Sequence, residues 1–246
     1  MKFSIIAAGE GSRLRNEGVT DPKPLVKVRG ERLVDRLIRI FMDNGAEEID
    51  VICNDLSPLV ADHMEDIRRR GLGGREVPLR YVVKSTPSSM HSLFELSPLI
   101  GDAPFVLTTV DTVFNEDDFA EYVKAFREMV EMRPGPSFPS HGPAVDGLMG
   151  VTDFIDDEKP LYVVTDEKMN ITAFLDRQDH PRWISAGIYG LTAPALLTLR
   201  RCVERGEARM RNFQRALISD GLHLRAHAFS KVVDIDHKED IEKAPL

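Results

Sequence analysis

Short apolar runs alternate along the chain with longer stretches whose apolar positions recur at helical spacing. Residues 2–8 (KFSIIAA) form an apolar run of strand length and predict a buried strand. Residues 32–46 (RLVDRLIRIFMDNGA) are apolar at 33, 34, 37, 38, 40 and 41, a spacing that predicts a helix stopping at Asn44-Gly45. Strand and helix signals then take turns. EIDVICN (48–54), PLRYVVK (78–84) and PFVLTTV (104–110) read as strands. PLVADHMEDIRRR (58–70), SSMHSLFEL (88–96) and DDFAEYVKAFREMVEM (117–132) read as helices.

The alternation breaks at RPGPSFPSHGP (133–143), where four prolines and two glycines predict a loop. Strand-like runs follow at 145–152, 160–166, 171–177 and 183–191, with helices at about 193–204 and 208–219. Strands at 223–229 and 231–235 and a short helix, HKEDIEKA, come last. A β-α-β-α order predicts an α/β fold: a mostly parallel central sheet with helices on both faces, extended by mixed C-terminal strands. The expected organisation is one domain over 1–246, with a nucleotide-type half (1–132) and a substrate-type half (143–246).

Composition narrows the partners. The chain has 246 residues, 42% of them hydrophobic, enough for a sizeable core. Its formal net charge of −8 and pI of about 5.4 argue against a broad nucleic-acid or anionic-membrane surface, which calls for a basic face. No apolar stretch reaches membrane-spanning length. Cys53 and Cys202 lack CxxC spacing and suit two reduced thiols in a cytoplasmic protein. No HxH or HExxH spacing points to zinc.

One segment departs from the acidic balance. Residues 9–32 carry six cations (Arg13, Arg15, Lys23, Lys27, Arg29, Arg32) against four acids (Glu10, Glu17, Asp21, Glu31). They begin where the first strand ends, in Ala7-Ala8-Gly9-Glu10-Gly11-Ser12-Arg13. A strand ending in Gly-x-Gly leaves backbone N–H groups unshielded and able to approach phosphate oxygens. A GxxxxGK[ST] loop is absent, and Leu14 stands where the dinucleotide fingerprint has its third glycine. Pro22-Lys23-Pro24 follows; a fixed φ at Pro22 and the steric effect of Pro24 predict an extended, non-helical mount that holds the lysine in one geometry.

Two carboxylate positions stand out. Asp111 directly follows the strand VLTTV, and a carboxylate at the C-terminal end of a parallel strand points into the crevice where open α/β sheets bind ligands. Its bland alternative is capping the next helix, a job for which Thr112 and Asn115 compete. Asp236 and Asp234 lie in the late run VVDIDHKEDI. Asp236 is also placed to N-cap the last helix with Glu239 three residues on, while Asp240 reads as a solvated helix residue. Ser88 or Ser89 is suited to N-capping the helix after the third strand, and His91 to sitting on its face.

The stretch AAGEGSRL…DPKPLVKVRGERLVDRLI resembles the signature of the sugar-phosphate nucleotidyltransferases, the nucleotide-sugar pyrophosphorylase group. The resemblance implies a Rossmannoid, GT-A-like three-layer sandwich. It also implies transfer of a nucleoside monophosphate from a nucleoside triphosphate to a sugar 1-phosphate or similar phosphorylated acceptor, with release of pyrophosphate. It assigns the triphosphate to Ala7, Ala8, Gly9, Glu10, Gly11 and Ser12, with Ser88 and Ser89 near the base. Arg13 is assigned to the leaving pyrophosphate, Lys23 to the transferred phosphate, and Asp111 with Asp236 to Mg2+, Asp234 being the alternative to Asp236. Asp146, Gly147, Ser185 and Gly187 fall where the acceptor binds; Ser185 stands where the family often has asparagine. Alternatives within reach are a phosphocholine or other alcohol-phosphate cytidylyltransferase, a GT-A glycosyltransferase, and a non-catalytic nucleotide- or sugar-sensing subunit.

Overall fold

The computed structural model describes residues 1–132, 145–155 and 159–244. The loop expected at 133–143 lies outside the described residues. The elements in chain order are β1 (Lys2–Ala7), α1 (Ser12–Asn16), β2 (Lys27–Val28), β3 (Glu31–Arg32), α2 (Leu33–Asp43), β4 (Glu48–Cys53), α3 (Pro58–Arg70), β5 (Leu79–Val83) and α4 (Ser89–Ile100). They continue with β6 (Phe105–Thr109), β7 (Thr112–Phe114), α5 (Glu116–Glu131), β8 (Gly147–Thr152), β9 (Tyr162–Thr165), β10 (Ile171–Leu175) and β11 (Trp183–Leu191). The last are α6 (Pro194–Glu204), α7 (Met210–Ser219), β12 (Leu224–Phe229), β13 (Val232–Asp234) and α8 (Asp240–Lys243).

A nine-stranded sheet runs β10-β9-β11-β6-β1-β4-β5, with β8 also on β11 and β12 on β8. The pairs β6-β1, β1-β4 and β4-β5 are parallel, whereas β11 runs antiparallel to β6, β8 and β9. The expected mixture of a parallel first half and mixed later strands is present. Phe3, Ile5 and Ala7 of β1 point into a core formed with α2, α3 and α5. Ile6 joins the opposite core, formed with α4, α6 and α7. This alternation buries β1 on both faces, as a strand covered by helices on either side must be.

Two details position the later sections of the chain. Gly190 of β11 has no room for a side chain: a Cβ there would lie 2.8 Å from both Phe126 and the Tyr122 hydroxyl of α5. That close approach lets the aromatic row Phe114–Phe119–Tyr122–Phe229 pack under the sheet. In the second detail, β7 and β13 pair antiparallel with Thr112 opposite Asp234. This small ladder, absent from the periodicity reading, ties the end of the first half to the last strand. Among the described residues no helix is long and apolar enough to cross a membrane.

Candidate active site

The chain leaves β1 toward β4 on one side and returns through β6 on the other, so β1 and β6 flank the point where strand order reverses. Ligands of open α/β sheets bind outside the carboxyl ends of strands at such a point. A cavity of about 470 Å³ opens there, lined by Gly9, Glu10, Gly11, Ser12, Arg13 and Lys23 on one side. Thr86, Ser88, Ser89, Thr109, Asp111 and Asp236 line it on the other. A second cavity of about 380 Å³ shares Arg13 and Asp236 and continues past Ser185, Ala186, Thr152, Phe154 and Asp234.

The glycine loop turns tightly against the Pro-Lys-Pro segment. Gly11 has φ of +62°, and a Cβ on it would lie 2.9 Å from the Lys23 Cβ. Glycine is needed there for the left-handed backbone and for the close approach of the Pro-Lys-Pro segment. The segment itself differs from expectation. Lys23–Leu25 form one 3-10 turn, with Leu25 N–H donating to Pro22 C=O at 2.8 Å and Val26 N–H to Lys23 C=O at 3.2 Å. Pro22 is extended, at φ −54° and ψ 141°, and Pro24 sits early in the turn, where its missing N–H costs nothing. The lysine is rigidly mounted, but by a turn rather than an extended strand.

The Lys23 ammonium, only 9% exposed, reaches Asp111 and donates to Asp236 Oδ1 at 2.7 Å. Arg13 Nη1 holds the other oxygen of Asp236 at 2.7 Å. The signature cations and the two late carboxylates, distant in sequence, therefore meet in one cluster. Ile235 N–H donates to Asp111 C=O at 3.0 Å, extending the β7–β13 pairing that joins them. Burial alone would raise the Asp111 carboxyl, but the Lys23 charge and hydrogen bond outweigh it and hold it below the usual range. Burial would likewise lower the Lys23 ammonium, yet Asp111 and Asp236 raise it above its ordinary value. Asp234 accepts from Thr112 Oγ1 at 3.0 Å, and its exposed carboxylate opens into the second cavity. The protein around it, and then the Asp111 charge, raise its carboxyl above the usual range.

Several capping expectations resolve differently. Asn115 caps α5, accepting from the N–H groups of Asp117 and Asp118, so Asp111 is released from that role. Asp236 does not cap the last helix. Asp240, buried at 8% exposure rather than solvated, accepts from the N–H groups of Asp236 (3.0 Å) and His237 (2.6 Å). The cap thus runs backwards from the helix and leaves both Asp236 oxygens for the cations. Glu17 adds a clasp, accepting from Lys238 N–H at 2.7 Å and pairing with His237 Nδ1 at 2.6 Å. Ser88 caps α4, and its hydroxyl also meets His91 Nδ1 at 3.0 Å.

Of the other expected residues, Ala7 is buried at the end of β1 behind the loop, and Ala8 lines the first cavity. Ser185 lines the second and donates to Gln214 Oε1 at 3.1 Å. Gly187, at φ +71°, lies where β11 changes register, and a Cβ there would sit 3.0 Å from Thr112 Oγ1. Asp146 and Gly147 are not brought to the site. Asp146 accepts from His223 N–H, and Gly147 begins β8, whereas it is Thr152 at the far end of β8 that lines the cavity. A Cβ on Gly147 would meet Leu191 and Leu224 at 2.9 Å, so its smallness serves packing. Thr109, Thr152 and Phe154 line the cavities and carry no signal of their own in the sequence, while Thr112, which holds Asp234, and Asp240, which holds the turn at Asp236, read there only as a rival cap and a solvated acid.

A glycine loop, two clustered cations and paired carboxylates stand together at the switch point. Residues 4–136 match the MobA-like NTP transferase domain, and the chain belongs to that family of nucleotidyltransferases. Over 253 aligned residues it is 26% identical to the UTP–glucose-1-phosphate uridylyltransferase AglF of Haloferax volcanii, covering 99% of this chain and 95% of the relative. It is 25% identical to the low-salt glycan biosynthesis nucleotidyltransferase Agl11 of the same organism, over 92% of this chain and 60% of that protein. It is 26% identical to the CMP-5'-(3-aminopropyl)phosphonate synthase of Streptomyces rubellomurinus, over 94% of this chain and 35% of that one. The chain therefore spans nearly all of the first relative and a smaller share of the other two. A UDP-glucose pyrophosphorylase structure with UDP-glucose superposes at a TM-score of 0.77, with 15% identity over 98% of this chain and 95% of the other. The inositol-1-phosphate CTP transferase of T. maritima does so at 0.73, with 17% identity over 97% and 90%. These likenesses establish the fold.

Proposed function

We propose that the chain transfers a nucleoside monophosphate from a nucleoside triphosphate to a phosphorylated small molecule of the sugar 1-phosphate class, releasing pyrophosphate. The observation that carries this reading is the convergence of Arg13, Lys23, Asp111 and Asp236 on the cavity beneath the glycine loop. A relative named for UTP and glucose 1-phosphate, aligned over 99% of this chain, supports it. The first half of the chain then holds the triphosphate and the second half the acceptor, whose place is the adjoining cavity with Ser185, Thr152 and Asp234.

In this reaction an acceptor phosphate oxygen forms a bond to the α-phosphorus as the bond from that phosphorus to the bridging oxygen breaks. The electron pair leaves with pyrophosphate. The nucleophile is already anionic, so no side chain has to remove a proton. What remains is alignment and neutralisation of charge. Lys23, on its stiff turn, neutralises the α-phosphoryl oxygens. Arg13, half-exposed at 51%, swings from Asp236 to the leaving group. Loop N–H groups orient the phosphates.

The acids fit a hard divalent cation. Asp111 and Asp236 present oxygen donors that already converge on one positive centre, the Lys23 ammonium. The neighbouring Asp234 carboxyl is raised first by the protein packed round it and then by the Asp111 charge. Among the described residues no three-ligand cage is formed in advance. That suits Mg2+, which is commonly held by one or two carboxylates together with phosphates. Asp111 and Asp236 would hold it, and it would supply charge neutralisation across the phosphates.

The test is pyrophosphate release measured with each nucleoside triphosphate against a panel of phosphorylated acceptors, with and without Mg2+. Acceptor-dependent, Mg2+-dependent release supports the assignment. No release with any pair, or release of nucleoside diphosphate from a nucleotide sugar instead, removes it.

A further inference from the structure

β1 and β4 end side by side, with Ala7 opposite Cys53. One residue beyond the ladder stands Asn54, 8% exposed and outside the motifs the sequence singles out. Its side-chain amide donates to Gly9 C=O at 3.0 Å and to Ala8 C=O at 3.3 Å. Its oxygen accepts from Leu56 N–H at 3.2 Å, which fixes which end of the amide faces the loop. A flipped amide would set oxygen against two carbonyls.

In a trans peptide the N–H points opposite to the preceding C=O. With the carbonyls of Ala8 and Gly9 drawn to Asn54, the N–H groups of Gly9 and Glu10 turn the other way. Neither has a hydrogen-bond partner among the described residues. The first cavity is lined by Ala8, Gly9 and Glu10 and not by Asn54, so it lies on the side these donors face. Two uncommitted N–H groups in a row, aimed at a cavity that also holds Lys23 and Arg13, are suited to phosphate oxygens.

We infer that Asn54 is a positioning residue for the triphosphate. It continues the β1–β4 ladder with a side chain and thereby locks two peptide planes of a glycine loop in the anion-binding orientation. The inference rests on the nucleotidyl-transfer reading above. It concerns binding of the nucleotide rather than of the acceptor.

Two variants test it. Asn54→Asp keeps the shape and replaces the two donors with an acceptor; Asn54→Ala removes them, and serves if the aspartate variant fails to fold. The probe is tripolyphosphate with Mg2+, titrated calorimetrically so that no base need be assigned, together with KM for the supporting triphosphate and for the acceptor. The expected result is binding of the probe weakened ~10–100-fold, the range typical of supporting residues behind a ligand site. The triphosphate KM rises with it, while the acceptor KM stays within about twofold. A merely structural asparagine would move both KM values together with the melting temperature. Wild-type binding by both folded variants, or an equal rise in both KM values, overturns the inference alone. Failure of the wild-type protein to bind the probe overturns the nucleotidyl-transfer reading with it.

Discussion

Replacing Lys23 with methionine probes two properties at once. The ammonium is 9% exposed and sits between Asp111 and Asp236, whose side chains are 21% and 40% exposed. Removing one partner of a fully buried ion pair costs about 3–5 kcal/mol, because the other charge is left uncompensated. Here both acids retain some access to water, and Arg13 stays on Asp236. A loss of about 1–3 kcal/mol is therefore expected. For a domain of this size that is a fall in Tm of roughly 3–10 °C. Losing a preorganised cation from the transferred phosphate should cost a further ~3–4 kcal/mol of transition-state stabilisation, a drop in kcat of about 10²- to 10³-fold. With the ammonium gone, the freed carboxylates should bind Mg2+ more readily, so Mg2+ without nucleotide should raise the Tm of Lys23→Met more than that of the wild type. Differential scanning calorimetry with and without Mg2+, beside pyrophosphate release, reads all three. Wild-type turnover in a folded Lys23→Met protein would refute the assignment. An unchanged Tm would refute the electrostatic account of the cluster.

Gly11→Ala forces a side chain onto a left-handed backbone and against Lys23. It should cost about 1–2 kcal/mol in thermal unfolding and lower turnover at least ~10-fold; an active, fully stable variant would show that the loop and lysine are not coupled. Gly190→Ala overpacks Phe126 and Tyr122 and should destabilise by about 1–3 kcal/mol in denaturant titration, with KM for both substrates little changed. Cys53 is buried and its thiol pushed up to about 11, and burial also raises Cys202. At pH 8 the thiolate is scarce, so iodoacetamide should label neither until the protein is unfolded; rapid native labelling would contradict that burial.

Much of the fold was legible because both core faces are written in local periodicity. The apolar run of β1 and the helical spacing of α2 and α3 reach the sequence directly. The β7–β13 ladder was not legible, since three-residue strands carry no period of their own and form only when distant segments meet. The same limit divided the site. Gly11, Arg13, Lys23 and Asp111 stand in local motifs. Asp240 looked like a helix-surface acid because its partners are backbone N–H groups freed by a turn that the sequence does not announce. The extended lysine mount failed because the preference of a residue before proline is statistical; the hydrogen bonds of the 3-10 turn and the Lys23 ion pairs override it here. Asp146 and Gly147 lie at the start of β8, away from both cavities, and the direction of that strand is set only by its pairing with β11 and β12.

The most direct test is a crystal structure of the protein with Mg2+ and a non-hydrolysable nucleoside triphosphate. The account predicts the triphosphate under the Gly9–Gly11 loop, Lys23 on the α-phosphate, Arg13 moved off Asp236, and one metal ion held by Asp111 and Asp236. A nucleotide bound in another cavity, with Lys23 and Arg13 still paired to those carboxylates, would contradict it.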